Sequence, residues 1–337
     1  MKKKILYKSL LFLLIIVCIN VIYSYTFFSS DLKKNSPCAY QCQLLPAGID
    51  VVYFGESSNT AFAKDDSTRK SISGLVQFFN PEIKIATIDT FAVHAGIYKH
   101  WTFQFKENKP KALVVTMNLR SFDAAWINST LETPLLKSIR LVQTPVYGFN
   151  RLALALKMPD EKTEKEREQD MLQTWIDDEL SFPYPFRYKN VRQWDDAMAN
   201  GEAKPIGTEF TNEQIILGCH YIKGFAFNIR ESNPRIKDFD EIVEWGNENK
   251  VKIYFNLLAE NIKEAEYLVG KELVYLMRQN RDYLVNRYTK MGAVVIDNME
   301  LLEPENFIDR NWTTEHYNDK GRIAIAKNIV KQLSIKK

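Results

Sequence analysis

Runs of apolar residues alternate with stretches of helical periodicity along most of the chain. The apolar runs are rich in Val, Ile, Phe and Tyr, which favour strands, and they occupy residues 48–55, 83–91, 111–118, 251–258 and 293–299. Because these runs are continuous and do not alternate with polar residues, both faces of each strand are expected to be buried. The pattern therefore predicts a parallel sheet with helices covering it.

The helical stretches between these strands carry apolar residues that recur on one face. The first is predicted to run from Ser67 to Phe79, with Ser67 or Asp66 as its N-cap. The others are predicted over residues 96–105, 261–290 and 319–333. Strands that alternate with helices in this way are typical of doubly wound α/β proteins, whose ligands bind beyond the carboxyl ends of the strands.

The segment from residue 120 to about residue 235 lacks this alternation. It contains a charged run over residues 159–170 and an aromatic-rich stretch over residues 181–190. The charged run is typical of a solvated helix face or a surface loop, and we interpret the aromatic stretch as a packing patch. The whole segment is predicted to be an insertion on one side of the sheet, long enough to form a lid or a partner surface.

Residues 10–28, near the N-terminus, form a mostly apolar segment without a charged residue. A membrane-spanning helix needs about 20 such residues, so the segment predicts a single-pass transmembrane anchor. Lys2, Lys3, Lys4 and Lys8 precede it. This bias predicts a cytoplasmic N-terminus and an extracytoplasmic main domain. A cleaved signal peptide is the alternative, but bulky aromatic residues follow where a cleavage site needs small ones.

The anchor divides the chain into a cytoplasmic tail, the transmembrane helix, a linker and one large domain that contains the insertion. Their predicted bounds are residues 1–9, 10–28, 29–46 and 47–337. The chain of 337 residues has a formal charge of +3, which falls to −1 when the four N-terminal lysines are set aside. A body without excess positive charge argues against nucleic acid as a partner.

Residues with catalytic potential follow three of the predicted strands and precede the last helix. Ser57 comes after the first strand, where Gly55 permits a tight turn. Gly96 opens the helix after the second strand, Asn118 ends the third strand, and His316 stands shortly before the last helix. Acyl transfer needs this set of groups: a hydroxyl nucleophile, donors that stabilise an oxyanion, and a base.

The order of these residues resembles the SGNH (GDSL-type) hydrolase superfamily, whose motifs are Gly-Asp-Ser, a lone Gly, Gly-x-Asn-Asp and Asp-x-x-His. The resemblance extends from about Asp50 to the C-terminus. It implies a flavodoxin-like three-layer sandwich with a parallel sheet, preceded here by one transmembrane helix. It also implies that Ser57 is the nucleophile and His316 the general base, with an oxyanion hole formed by the N–H groups of Ser57 and Gly96 and the amide of Asn118.

The sequence departs from these motifs at the residue that would orient the histidine. Thr313 stands where the Asp-x-x-His motif has its aspartate, and threonine cannot stabilise an imidazolium by charge. Asp309 becomes the third member of a triad if residues 310–315 form a loop that folds back toward His316. Otherwise the site is a dyad of Ser57 and His316.

These observations predict a membrane-anchored, extracytoplasmic serine esterase or deacylase that acts on an acyl ester of a cell-envelope saccharide or lipid. One alternative is an O-acyltransferase component that acylates a cell-envelope polysaccharide, with a multipass membrane acyltransferase as its partner. A further alternative is a catalytically inactive binding or scaffold module. No cofactor or metal is implied, and the expected partners are the acyl-ester substrate and the membrane.

Overall fold

The structure is a computed structural model that describes residues 2–129, 133–143, 147–156, 162–204, 207 and 209–334. Its centre is a five-stranded sheet in which all neighbouring strands are parallel. The strand order is β2-β1-β3-β4-β5, which is the order of flavodoxin-like doubly wound sheets. The strands are β1 (Val51–Gly55), β2 (Ile85–Asp89), β3 (Ala112–Met117), β4 (Lys252–Leu257) and β5 (Val294–Asp297).

Helices surround the sheet and fill the segment between β3 and β4. The part of the chain described here contains α1 (Lys2–Thr26), α2 (Phe28–Asn35), α3 (Pro37–Gln43), α4 (Ser57–Thr60), α5 (Ile72–Phe79), α6 (Ala95–Thr102), α7 (Ala124–Ile127), α8 (Thr133–Val142), α9 (Tyr147–Ala155), α10 (Glu164–Asp177), α11 (Val191–Ala199), α12 (Asn212–Phe225), α13 (Pro234–Asn249), α14 (Ile262–Leu268), α15 (Lys271–Lys290) and α16 (Asp319–Gln332). Two single turns of 3₁₀-helix cover Leu119–Phe122 and Pro304–Asn306.

The two faces of the sheet pack against different sets of helices. Val51 and Tyr53 of β1 belong to a smaller apolar cluster with residues of α5 and α16. Their neighbours Val52 and Phe54 point the other way and belong to a larger cluster with residues of α6, α13 and α15. Side chains alternate along a strand, so both halves of this apolar run are buried, as predicted. The α/β class and the parallel sheet expected from the sequence are confirmed.

Two predicted helices have different bounds in the structure. The first begins at Ile72, and Ser71 is its N-cap, with a side chain that accepts a hydrogen bond from Gly74 N at 3.0 Å. The predicted caps Ser67 and Asp66 are therefore wrong, because both contact the start of α16. The long helix predicted over residues 261–290 is two helices, α14 and α15. It breaks at Gly270, whose φ of +119° is outside the helical region.

The segment predicted as a linker, residues 29–46, is part of the folded body. It forms α2 and α3, and Leu32, Ala39 and Cys42 lie fully buried in the larger core cluster. The apolar residues of this segment recur at helical spacing, so the two helices bury one face each. The linker prediction is corrected accordingly.

The insertion predicted from residue 120 to about 235 lies between β3 and β4 and is mostly helical. Its helices bury Trp175, Trp194 and Phe225 in the larger core cluster. The aromatic stretch packs as a patch, in which the ring centroids of Phe186 and Trp194 lie 4.7 Å apart. The start of the charged run, residues 159–161, lies outside the described residues, and the rest of it begins α10 behind a Thr163 capping box.

Helix α1 extends away from the body, and Lys3–Thr26 within it is long and apolar enough to cross a membrane. Its side chains are almost entirely exposed to solvent, although the segment is strongly apolar. The body touches its C-terminal half, where Gly148 N of α9 donates a hydrogen bond to Asn20 Oδ1 at 3.1 Å. The length and apolar composition of this helix are those that a membrane span needs.

Arg322 of α16 joins the segment after α4 to the start of the last helix. Its guanidinium is fully buried and donates hydrogen bonds to the carbonyls of Ala61 (2.9 Å), Thr68 (2.7 Å) and Tyr317 (2.6 Å). It also pairs at 2.9 Å with Asp66, whose side chain is 1% exposed. This arginine therefore connects the chain just after Ser57 with the chain just after His316.

Replacing Arg322 with Met is expected to destabilise the protein by about 3–5 kcal/mol, because Asp66 and several carbonyls would be left buried without a donor. The measurement is the free energy of unfolding in urea, with the full chain in detergent micelles.

Arg192→Ala is the matched control, since it breaks the pair of Arg192 and Asp196, whose side chains are 46% and 52% exposed. The control is expected to change stability by less than about 0.5 kcal/mol. Equal effects of the two substitutions would contradict the structural role of Arg322.

Candidate active site

Ser57 is the first residue of α4, directly beyond the carboxyl end of β1. The turn needs a glycine at position 55, because a Cβ there would lie 3.0 Å from Cβ of Asn59 and 3.1 Å from Cβ of Asp89. Asn59 in turn donates a hydrogen bond to Asp89 Oδ2 at 2.6 Å and accepts one from Ser73 N at 2.9 Å. The short helix that carries Ser57 is thus fixed to β2 and α5.

The chain between Phe307 and Tyr317 folds back on itself. These two residues form an antiparallel bridge, and Ile308 N donates a hydrogen bond to His316 O at 2.9 Å. The fold-back places Asp309 opposite His316, although seven positions separate them in the sequence. This is the loop geometry that the sequence required for a third member of the site.

Ser57, His316 and Asp309 form a continuous chain of contacts in the structure. Nε2 of His316 lies 3.0 Å from Oγ of Ser57, and Nδ1 lies 2.8 Å from Oδ2 of Asp309. Thr314 donates its hydroxyl hydrogen to the same Asp309 oxygen. Because a carboxylate has no hydrogen to donate, Nδ1–H of the imidazole donates to Asp309, and Nε2 is left to accept from the serine hydroxyl.

This chain of side chains is accessible from solvent. The side chains of His316 and Asp309 are 27% and 34% exposed, and Ser57 is partly exposed at the end of its strand. A molecule in solution can therefore reach the serine hydroxyl without opening of the core. Such an arrangement can remove a proton from Ser57 while the carboxylate keeps the imidazole in one tautomer.

Gly96, predicted as an oxyanion donor, uses its N–H elsewhere. It is the second residue of α6, and its N–H donates to Nδ1 of His94 at 3.0 Å, where His94 is the N-cap of that helix. Asp238 lies close by, since a Cβ on Gly96 would be 2.8 Å from its Oδ2. The structure therefore corrects the prediction: Gly96 serves to cap and pack a helix.

Asn118 lies at the end of β3, as predicted, but both hydrogens of its amide are engaged. Nδ2 donates to Oε1 of Glu56 at 3.1 Å and to Oε2 of Glu315 at 2.8 Å, while Oδ1 accepts from the N–H of Arg120. An amide with both hydrogens bonded to carboxyl groups has none left for an oxyanion. In this arrangement Asn118 joins Glu56 to Glu315, and its oxyanion role stays a prediction that needs the amide to be released.

The residues around Asn118 are a buried cluster that the sequence analysis did not find. Arg120 binds Glu315 through two hydrogen bonds, from Nε at 3.0 Å and from Nη2 at 2.8 Å. Glu56 and Glu260 complete the cluster, and all three glutamates are at least nine-tenths buried. Since Glu315 directly precedes His316, the bidentate pair with Arg120 holds the backbone next to the imidazole.

One sequence signal could have found part of this cluster. Residues just beyond the carboxyl ends of parallel strands meet at one edge of the sheet, and that rule selected Ser57 and Asn118. Applied to the fourth strand, it also selects Glu260, which follows β4 by three positions. Nothing in the sequence pairs Arg120 with Glu315, because 195 positions separate them.

The cluster contains three carboxyl groups and one guanidinium, so its ionisation is constrained. Burial, and then the negative charge of Glu315, raise the pKa of Glu56 to about 8. The same two causes raise the pKa of Glu260 well above its ordinary value. Both shifts favour the protonated forms of Glu56 and Glu260, beside which Arg120 and Glu315 form an ion pair of balanced charge.

Comparison of the chain with models of known protein families and with curated proteins gives no match.

Replacing Glu56 with Gln is expected to reduce the dependence of stability on pH. The pKa of Glu56 is raised from 4.5 to about 8 on folding, so its protonated form stabilises the fold below pH 4.5 and that contribution is lost as the pH rises through about 8. Over this window the free energy of unfolding of Glu56→Gln should fall less steeply than that of the unmodified chain. Urea denaturation at several pH values measures the two slopes.

The exposed Glu107→Gln is the control, and its slope should match that of the unmodified chain. If Glu56→Gln also keeps the original slope, Glu56 is not the group that takes up the proton on folding.

Proposed function

We propose that this chain is a membrane-anchored serine esterase or deacylase of the SGNH type, which acts on an acyl ester of a cell-envelope saccharide or lipid. The observation that carries the proposal is the chain of contacts from Ser57 through His316 to Asp309, at 3.0 Å and 2.8 Å. Its place at the carboxyl edge of a parallel sheet with the strand order 2-1-3-4-5 agrees with the resemblance described above.

In the proposed reaction, Oγ of Ser57 attacks the carbonyl carbon of the ester while Nε2 of His316 takes the hydroxyl proton. Asp309 keeps the imidazole in the productive tautomer and stabilises the imidazolium that forms. The imidazolium then protonates the leaving alcohol, and an acyl group remains on Ser57. Water, activated by the same imidazole, releases the acid and restores the serine.

The oxyanion of the tetrahedral intermediate needs donors that are free to reach it. The N–H of Ser57 is one, because the first N–H groups of a helix have no partner within that helix. Asn118 becomes the second only if its amide leaves Glu56, with which it shares a hydrogen bond of 3.1 Å. We therefore assign the oxyanion first to Ser57 and treat Asn118 as a donor that substrate binding must release.

The N-terminal helix supports a setting at a membrane. In the proposed arrangement α1 spans the bilayer, the N-terminal lysines lie in the cytoplasm, and the folded body lies on the other side. The ester substrate would then be a component of the cell envelope that reaches the body from the membrane surface or from outside.

Two other functions remain as proposals that particular observations favour. Acyl transfer to a cell-envelope polysaccharide would use the same acyl-serine, and α1 would place the body beside a multipass membrane acyltransferase. A binding or scaffold module without catalysis is favoured by the engagement of Gly96 and Asn118. Gain of acyl groups on surface polysaccharide would support acyl transfer. A Ser57 that does not react with the probe would support the binding or scaffold module.

The Ser57→Ala variant is expected to lose hydrolysis of p-nitrophenyl acetate and labelling by a fluorophosphonate probe, because both reactions need the serine oxygen. The full chain in detergent is assayed, and mass spectrometry locates the modified residue. The exposed Ser181 lies in the insertion, and Ser181→Ala should keep both reactions. Unchanged hydrolysis or labelling of Ser57→Ala would remove the proposal.

The Asp309→Asn variant is expected to lower kcat by up to about 10⁴-fold, the effect seen when the aspartate of a serine-protease triad is replaced in the same way. KM for p-nitrophenyl acetate should change little, since Asp309 contacts the imidazole and not the ester. The exposed Asp65→Asn is the control and should retain full kcat. If the kcat of Asp309→Asn lies within about twofold of the control, Asp309 is not part of the catalytic site, which is then a dyad of Ser57 and His316.

A further inference from the structure

A cavity of about 240 Å³ lies between the insertion and the loop that carries Asp309 and His316. Its walls are aromatic: Trp126 comes from α7, Trp175 from α10 and Trp312 from the loop itself. The imidazole of His220 adds a fourth ring, whose centroid is 3.9 Å from that of Trp312. Most of this wall comes from the insertion, which the catalytic proposal does not use.

The cavity is connected to the candidate active site through two structural links. Trp312 and Thr313 line it and stand in the loop between Asp309 and His316. Arg120 also lines it, and the same guanidinium holds Glu315, the residue before His316. A molecule bound in the cavity is therefore next to the segment that fixes the imidazole.

The lining combines aromatic faces with a few polar groups. Lys223, Asp123 and His220 lie among the indole rings. Burial, and then the charges of Lys223 and Arg120, lower the pKa of His220, so its ring is neutral and can both donate and accept hydrogen bonds. Aromatic walls with a small number of polar groups that fix orientation are typical of sites for small organic ligands.

We infer that this cavity binds one pyranose ring of the saccharide whose ester Ser57 attacks, with the half-exposed Trp312 as its stacking platform. A pyranose ring has C–H groups on its faces and hydroxyl groups around its rim, which match indole rings and the polar groups between them. Sites for drug-sized ligands begin at roughly 300 Å³. The cavity volume of about 240 Å³ is slightly smaller, which suits a ligand as small as one sugar ring. This inference rests on the proposed function for its link to catalysis.

The charges in the lining argue against other ligand classes. A quaternary ammonium group also binds between aromatic rings. The two cations of this lining are already paired, Arg120 with Glu315 and Lys223 with Asp195 at 3.7 Å, so Asp123 is the carboxyl group of the lining that would have to attract it. Burial also raises the pKa of Asp123 to about 7, which weakens its negative charge. An acyl chain needs a wall without polar groups, whereas Lys223, Asp123 and His220 interrupt this one.

The test measures saccharide binding separately from catalysis. Saturation-transfer NMR is recorded on the full chain carrying Ser57→Ala, in nanodiscs, with methyl β-D-glucopyranoside, methyl β-D-galactopyranoside and methyl N-acetyl-β-D-glucosaminide as probes. At least one should receive saturation at its ring protons. Adding Trp312→Ala should weaken its binding about fivefold or more, the size of one lost aromatic contact. Trp312→Phe should restore most of the affinity.

Trp312 is 50% exposed, so its replacement leaves the core intact, and Tyr267, which is also 50% exposed and lies outside the cavity, is the matched control. Tyr267→Ala should not change binding. Hydrolysis of p-nitrophenyl acetate, an ester without a sugar, is measured in parallel on the chain with Ser57 present. Ester hydrolysis and glycoside NMR test the two proposals separately. If hydrolysis is absent, the esterase proposal fails, and saccharide binding is judged by NMR alone.

Three results would overturn the inference. The first is the absence of saturation transfer to all three glycosides. The second is an equal effect of Trp312→Ala and Tyr267→Ala on their binding. The third is that Trp312→Ala binds the glycosides as before but hydrolyses p-nitrophenyl acetate and p-nitrophenyl octanoate in a different ratio. That result would assign the cavity to the acyl chain.

Discussion

The site depends on one buried arginine that joins two distant parts of the chain. Arg322 donates to the carbonyl of Ala61, four positions after Ser57, and to the carbonyl of Tyr317, the residue after His316. Because the guanidinium is fully buried, each of these bonds is made without competition from water, and Asp66 balances its charge. This connection therefore supports the 3.0 Å contact between Ser57 and His316 from both segments.

A second buried network constrains the other side of the imidazole. Arg120 and Glu315 form an ion pair that protonated Glu56 and Glu260 surround, and Asn118 joins two of the three carboxyl groups. The bidentate pair and the two bonds of Asn118 hold these members in one geometry, although Oε1 of Glu260 is buried without a hydrogen-bond partner. The same pairing occupies the amide that the motif order assigned to an oxyanion. The hydrogen bonds that hold the segment around His316 therefore also occupy the amide of Asn118, which would have to be free to bind an oxyanion.

The errors of the sequence analysis have physical causes. Residues 29–46 lie between the apolar helix and the first strand and were predicted as a short linker, yet burial of Leu32 and Cys42 in the larger core cluster makes them part of the folded body. Gly96 was assigned by motif order, but local capping by His94 uses its N–H. The first deciding contact is tertiary and the second is a local helix cap, and neither is described by periodicity or by the order of motifs. The strands, by contrast, lie within the predicted runs, because short apolar runs rich in β-branched and aromatic residues favour a buried strand over a helix segment.

The sequence alone determined the α/β class, the parallel sheet and the positions of Ser57 and His316 at strand and helix ends, because these follow from local periodicity and from the geometry common to parallel sheets. It also identified Asp309, but only on the condition that the following loop folds back. Only the tertiary structure decided that condition, the pairing of Arg120 with Glu315 and the aromatic cavity between the insertion and the loop. These depend on contacts between residues far apart in the chain, and such contacts are selected by the packing of the whole fold and leave no periodic signal.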